Sequence, residues 1–310
     1  IYAIANFSGQ NHYSPFLPLT IEELSANETE TAFLNRIIST SSVVYSVSGN
    51  TKLPMSGVNG DVTIYPEDQI AESDEFQNNL SIKLRRIVSH IEFTFASGEG
   101  ITFDPEFYRV YNLPKNAYLI DQSIKGKGNN VLDNGGTFGH MSREVGVPSN
   151  NTVEFFMLEN IQVAKNNCNT YADRDKWDGF LEDGTKSFNN APLNGTYLTV
   201  TGRYEDGEYT GNVSYTVHLG NFGAGATATT TGNQNNNFEV KRNTYHTYKI
   251  KVAGVNSIIT EAGVEEPDGG KVPGAEGELV ATNKGSQFVL DSHFETMLVS
   301  FELSELCKNP

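Results

Sequence analysis

The chain reads as an all-β protein with a minor helical part, folded as two β-sandwich domains that meet near Asn160. Three observations predict this. Residues 237–252 (NFEVKRNTYHTYKIKV) set Tyr248, Ile250 and Val252 on one side of an extended chain and Thr247, Lys249 and Lys251 on the other. That period of two belongs to a strand with one buried face. The same alternation returns on both sides of Asn160, without the repeated strand–helix alternation of a parallel sheet. Glycine (29 residues) and Tyr plus Phe (14 and 18) suit strands joined by glycine turns.

Taken in order, residues 1–7 (IYAIANF) form a short apolar strand. Residues 20–23 (TIEE) have capping-box spacing and start a helix. Residues 27–30 offer a second start, after which the pairs Phe33/Ile37 and Leu34/Ile38, four apart, make a one-sided helix. Strands then follow at 43–47, 62–65, 80–95, 107–113 and 153–158. Within 80–95, Leu80, Ile82 and Leu84 alternate, and the phase shifts before Ile91, Phe93 and Phe95. This shift predicts a bulge near Arg85-Arg86.

The second block runs from 160 to 262. Leu198, Val200 and Tyr204 are apolar positions of one strand. Val213, Tyr215, Val217 and Leu219 alternate with Ser214, Thr216 and His218 in the next. Residues 220–237 (GNFGAGATATTTGNQNNN) are low in complexity and predict a long flexible hairpin loop. Their Gly-x-Gly lacks the strand–loop–helix setting of a nucleotide site. The domain division is therefore 1–160 and 161–262, with an acidic, Gly- and Pro-rich linker at 263–278 and a terminal strand segment at 279–310. In that segment Met297, Val299, Phe301 and Leu303 alternate with Leu298, Ser300, Glu302 and Ser304. It is too short to be a domain, so its apolar face must bury elsewhere. Phe288, Leu290, Met297, Val299 and Phe301 are the candidate residues by which it adds to the edge of the second sandwich or enters the groove of a neighbour.

Composition narrows the function classes. Hydrophobic residues are 37% of the chain, low for a parallel-sheet enzyme. A formal net charge of −16 argues against a nucleic-acid partner and reads as solubility. Cys168 and Cys307 make no disulfide framework; they either pair or stand as free thiols. No apolar run is long enough to span a membrane. The chain opens on Ile1 rather than Met, and a processed or partial form is expected.

Catalytic chemistry is sparse. There is no Gly-x-Ser-x-Gly elbow, no phosphate loop and no His-Glu-x-x-His. The six histidines are scattered, and His218 and His246 are expected on exposed strand faces. Residues 173–179 (DRDKWDG) begin like a calcium loop, but Trp177 sits where an acid or amide is needed, Asp178 replaces the turn glycine, and the twelfth position is Gly184. An exposed acidic loop without a specific calcium site is expected. Trp177, the only tryptophan, is either a core anchor or a stacking platform for a sugar or partner. Paired carboxylates of a glycosidase meet only in space; Glu159, at a strand end, is the first to inspect.

Several ordered segments carry a resemblance. They are residues 3–6 (AIAN), 53–57 (LPMSG), 84–86 (LRR) with Ile91, and 108–114 (YRVYNLP), then 156–160 (FMLEN), 198–204 (LTVTGRY), 215–220 (YTVHLG) and 240–243 (VKRN). Taken together they resemble the FimA-type fimbrillins, subunits of the type V pili of Bacteroidales bacteria, over nearly the whole chain. Residues 273–277 (PGAEG) and 290–294 (LDSHF) are more similar to the larger tip or accessory members. The resemblance implies two transthyretin-like β-sandwiches, export as an outer-membrane lipoprotein precursor, and assembly at the cell surface by donor-strand exchange. It implies other fimbrial subunits and a surface glycan or protein receptor as partners, with no enzyme activity and no cofactor. In the family an opening strand pairs beside the position of residues 1–7; this sequence lacks it, so the first sandwich is expected to lack its opening strands. Two rival readings remain: a surface glycan-binding β-sandwich using Trp177 and a loop tyrosine, and a secreted glycosidase.

Overall fold

The computed structural model describes residues 1–7, 19–20, 29–41, 45–46, 53–60, 79–122, 132, 136–223, 225–265 and 296–302. The protein is all-β with little helix. In chain order come β1 (Tyr2–Ala5), β2 (Leu19–Thr20), helix α1 (Glu30–Leu34), β3 (Ile37–Thr40), β4 (Tyr45–Ser46), β5 (Met55–Val58), β6 (Asn79–Arg86) and β7 (Val88–Ser97). There follow β8 (Thr102–Tyr111), β9 (Leu113–Pro114), β10 (Asn116–Tyr118), β11 (Phe138–Gly139), β12 (Val145–Gly146) and β13 (Thr152–Leu158). The rest are β14 (Trp177–Phe180), β15 (Lys186–Phe188), β16 (Tyr197–Glu205), β17 (Thr210–His218), β18 (Tyr245–Gly254), β19 (Ser257–Glu265) and β20 (Thr296–Glu302).

Two sandwiches form. In the larger, the sheet β19-β18-β7-β13-β4 packs on the sheet β12-β8-β16-β17. β18 runs parallel to β7; the other pairings are antiparallel. The period-two residues do what alternation demands: Ile91, Phe93 and Phe95 of β7, Val200 and Tyr204 of β16, and Tyr248, Ile250 and Val252 of β18 all enter one core. Stacked rings of Phe93 and Tyr248, 4.7 Å apart, tie β7 to β18 inside it. The smaller sandwich has the sheets β1-β5-β6-β20 and β10-β3-β2, with Ile38, Leu53, Ile87, Ala117 and Leu119 in its core.

Four sequence expectations change here. The predicted division at residue 160 does not follow the sheets, since both sheets of the larger sandwich draw strands from each side of it. The phase shift near Arg85-Arg86 is no bulge: β6 ends in one sandwich, Ile87 turns the chain, and β7 starts in the other. The one-sided helix stops at Asn35, with Thr29 as its N-cap, because Ile37 and Ile38 are taken by β3, where Ile38 pairs with Ala117 of β10. Gly263–Glu265 lie in β19, paired with β18, so the linker starts later than its composition suggests. Thr20 lies in β2, while residues 21–23 and the strand expected at 62–65 lie outside the described residues.

Candidate functional site: the receiving edge beside the junction

β6 has two neighbours of unequal reach. β5 meets it only at Met55–Arg86 and Ser56–Arg85. β20 meets it from Thr296–Arg85 through Glu302–Asn79, the full length of the strand. The terminal segment is thus a strand, and it completes the smaller sandwich rather than the second block of the sequence. Met297 is the register partner of Leu84, Val299 of Ile82 and Phe301 of Leu80. Register partners share one face of a sheet, and Ile82 and Leu84 are buried. By register alone, Met297 and Val299 stand opposite these two buried positions. Phe288 and Leu290 lie outside the described residues. Gly57 sets how closely β5 approaches: a Cβ there would overlap the Lys83 carbonyl oxygen.

Beside this edge the two sandwiches are bolted together by residues at strand ends. The Arg242 guanidinium donates to the carbonyls of Tyr118 and Leu119 (3.2 Å to Leu119) and pairs with the Glu159 carboxylate. Both side chains are at least 96% buried, at 4% and 3% exposure. Burial alone would lower the Arg242 pKa, but the Glu159 charge and hydrogen bond outweigh it and hold it above its ordinary value. Asn243, at φ 59°, accepts from the Arg86 backbone N–H at 3.1 Å. A cavity of about 230 Å³ opens here between Gly57, Lys83, Arg85, Asp121 and Arg242. Glu159 is therefore a structural ion-pair member facing an arginine, which removes the motive for reading it as half of a glycosidase pair.

The remaining candidates sit in the larger sandwich. His218 and His246 are buried at 0% and 1% exposure, against the expectation of exposed faces. Burial lowers both pKa values, His246 to about 4. Asp175 accepts from His218 Nδ1 at 2.7 Å and opposes the shift there. Residues 173–184 are not a plain exposed loop. Asp173 caps the turn 171–174 by accepting from the Thr170 N–H, and Asp183 accepts from the Thr185 N–H and hydroxyl. Arg174 is fully buried between the rings of Phe222 and Phe238, at 4.6 and 4.0 Å, and donates to the carbonyls of Leu219, Asn235 and Asn237. Those contacts anchor the two ends of residues 220–237, the stretch whose composition predicts a flexible loop. Cys168 is a buried free thiol, and Cys307 lies outside the described residues. Trp177 is half-exposed, and its ring neighbour is Phe180 at 5.2 Å rather than a tyrosine. Arg174, Phe180 and Lys186 carry no signal in the sequence; their roles appear only once the turn and ribbon are folded.

No protein-family model and no curated protein sequence matches the chain. Among solved structures, it is similar to the C-terminally truncated tip fimbrial protein Mfa3 from Porphyromonas gingivalis, at 17% identity and TM-score 0.44, covering 80% of this chain and 79% of that one. It is similar to a cell adhesion protein, so described, from Parabacteroides distasonis at 12% identity and TM-score 0.44, covering 86% and 88%. A third, from Bacteroides eggerthii, described in the same words, aligns at 12% identity and TM-score 0.43, covering 86% and 76%.

Proposed function

We propose that the chain is a non-enzymatic structural subunit or tip adhesin of a cell-surface fimbria, assembled by exchange of β20 between copies or with other fimbrial subunits. The observation that supports this is the β6 edge. Its long partner, β20, is separated from the last residue of β19 by 30 residues (266–295). Thirty intervening residues, the first thirteen of them rich in Gly and Pro by sequence, are long enough to let the strand reach a sheet in another copy. The same edge can therefore take the same strand from a second molecule, with identical ladder bonds and identical register.

Three apolar side chains of β20, Met297, Val299 and Phe301, at 1.5–3 kcal/mol each give about 5–9 kcal/mol before ordering costs, and Phe288 and Leu290 would add to this if the exchanged segment includes them. Four of the eight motifs that resemble fimbrillins lie near this site: residues 53–57 run into β5, 84–86 end β6, 156–160 end β13, and 240–243 hold the junction; 108–114, 198–204 and 215–220 lie in the larger sandwich. A transthyretin-like arrangement and delivery to the surface as a lipoprotein precursor belong to the same reading.

The test is uptake of a fluorescent peptide of residues 290–304 by the full chain, followed by anisotropy. The peptide should be incorporated slowly, as the resident strand leaves, and the Val299→Asp peptide should not. No incorporation, or equal incorporation of both peptides, would contradict strand exchange.

A further inference from the structure

The ribbon formed by β14 and β15 carries an aromatic surface that the strand-exchange reading does not use. Along a regular strand Trp177 and Phe180, three apart, would point to opposite faces. The register shifts between Trp177 and Gly179, leaving Asp178 as an extra residue. That bulge moves Trp177 and Phe180 onto one face, which is the known effect of a bulge on side-chain aim. Their centroids are 5.2 Å apart with planes inclined at 56°, so the two rings form an open corner rather than a flat sheet. Phe180 is the register partner of Lys186, and the Lys186 ammonium lies 5.1 Å from the Trp177 ring centre and 2.8 Å from the Thr216 hydroxyl. Burial lowers the Lys186 pKa, while the Asp175 charge works the other way.

We propose that Trp177, Phe180 and Lys186 form a binding site for a neutral pyranose sugar of a surface glycan. The rings are left open, with Trp177 at 47% and Phe180 at 65% exposure, on a two-stranded ribbon. The ribbon is held from both sides: Leu181 N–H donates to Thr185 O at 2.8 Å, Lys186 N–H to the Tyr197 hydroxyl at 3.2 Å, and Asn189 N–H to Lys176 O at 3.0 Å. The site is therefore preformed, so binding orders little. With Leu181 added, the open apolar area is roughly 300 Å², from side chains of 150–250 Å² each. A stable protein interface needs about 800 Å² per partner. A pyranose ring matches this size: its C–H face lies on an aromatic ring, and its hydroxyls meet the Lys186 ammonium and Thr216 hydroxyl. Asp175 beside Lys186 and the net charge of −16 disfavour an acidic sugar. The site stands on the ribbon and not on strand exchange, so its test leaves that reading untouched.

Trp177 is the only tryptophan, so fluorescence excited at the red edge, where the 14 tyrosines do not absorb, reports on this site alone. The full chain should be titrated with the methyl glycosides of galactose, mannose, glucose and N-acetylglucosamine, and with the methyl glycoside of N-acetylneuraminic acid. At least one neutral glycoside should give a saturable, salt-independent change in the millimolar range. Phe180→Ala should weaken it at least tenfold with an unchanged melting temperature, and Leu193→Ala, at an exposed site off the ribbon, should leave it unchanged. The proposal is overturned if no neutral glycoside gives a saturable change or if only the charged sugar binds. It is equally overturned if the fluorescence responds only to lipid vesicles or to rising concentration of the protein itself.

Discussion

The two sandwiches differ in where their strands come from. The larger joins strands that follow one another, β16 with β17 and β18 with β19, to longer-range pairs, β7 with β13 and β18, all within residues 45–265. Its core of stacked rings is closed by a fully buried Arg174 that satisfies three carbonyls. The smaller lines up β6 with a strand from the far end of the chain. One sandwich is complete through residues that cannot be separated from it. The other takes the long-range neighbour of β6 from residues 296–302. If the proposed strand exchange holds, the first sandwich carries the stability of the subunit and the second its assembly.

The largest effect is expected at the bolt between them. Arg242→Ala leaves the Glu159 carboxylate buried without its cation, and removing one member of such a pair costs about 3–5 kcal/mol. Denaturant unfolding should show the loss, and the melts of the two sandwiches should separate. A single transition at the parental midpoint would show that Arg242 does not couple them.

Acid should act on the larger sandwich next. Burial holds the folded His246 pKa at about 4, against about 6.5 in the unfolded chain. Between those values the unfolded chain binds the extra proton. The stabilisation is fully present above pH 6.5 and is lost as the pH falls to about 4, on the order of 3 kcal/mol. His90 and His218, also lowered by burial, act in the same direction. No histidine lies in the described strands of the smaller sandwich. Melting temperatures of the parent should fall from pH 7 to pH 4, and in Arg242→Ala, where the two melts separate, the fall should be confined to the larger sandwich.

A smaller, local effect separates the faces of β20. Val299→Asp, opposite buried Ile82, should cost about 2–3 kcal/mol, and Ser300→Asp should be nearly silent. The cost should appear as faster hydrogen exchange in β6, with β7 unchanged. Equal effects from both variants would contradict the register. The smallest effect is expected at the exposed Lys249–Glu261 pair, 3.8 Å apart, where Lys249→Ala should stay within about 0.5 kcal/mol by thermal melting.

Much of this was legible in the sequence where a residue's partner follows from periodicity. Tyr248, Ile250 and Val252 announce a buried face, and Met297, Val299 and Phe301 announce a strand. Periodicity says nothing of which sheet a strand joins. The same phase shift at Arg85-Arg86 serves a bulge or a passage between sandwiches, and only long-range pairing decides. Ile37 and Ile38 show the opposite failure: their helical spacing is real, but pairing of β3 with β10 overrides it. Polar residues were the least legible. Glu159, Arg174 and His218 look like surface chemistry, yet each is buried by partners more than 40 positions away. The corner of Trp177 and Phe180 depends on one extra residue in a short ribbon, which spacing alone would place on opposite faces.

The most direct test of the account is a cross-link between two separately tagged copies of the full chain. One carries Ile82→Cys and the other Val299→Cys, with Cys307→Ser in both; Ile82 and Val299 are register partners across β6 and β20. After co-incubation under mild oxidation, strand exchange predicts a disulfide joining the two tags. It also predicts head-to-tail multimers when both cysteines sit in one chain. If the double variant closes only on itself and the two tags never join, β20 is a fixed part of its own subunit and the assembly account is wrong.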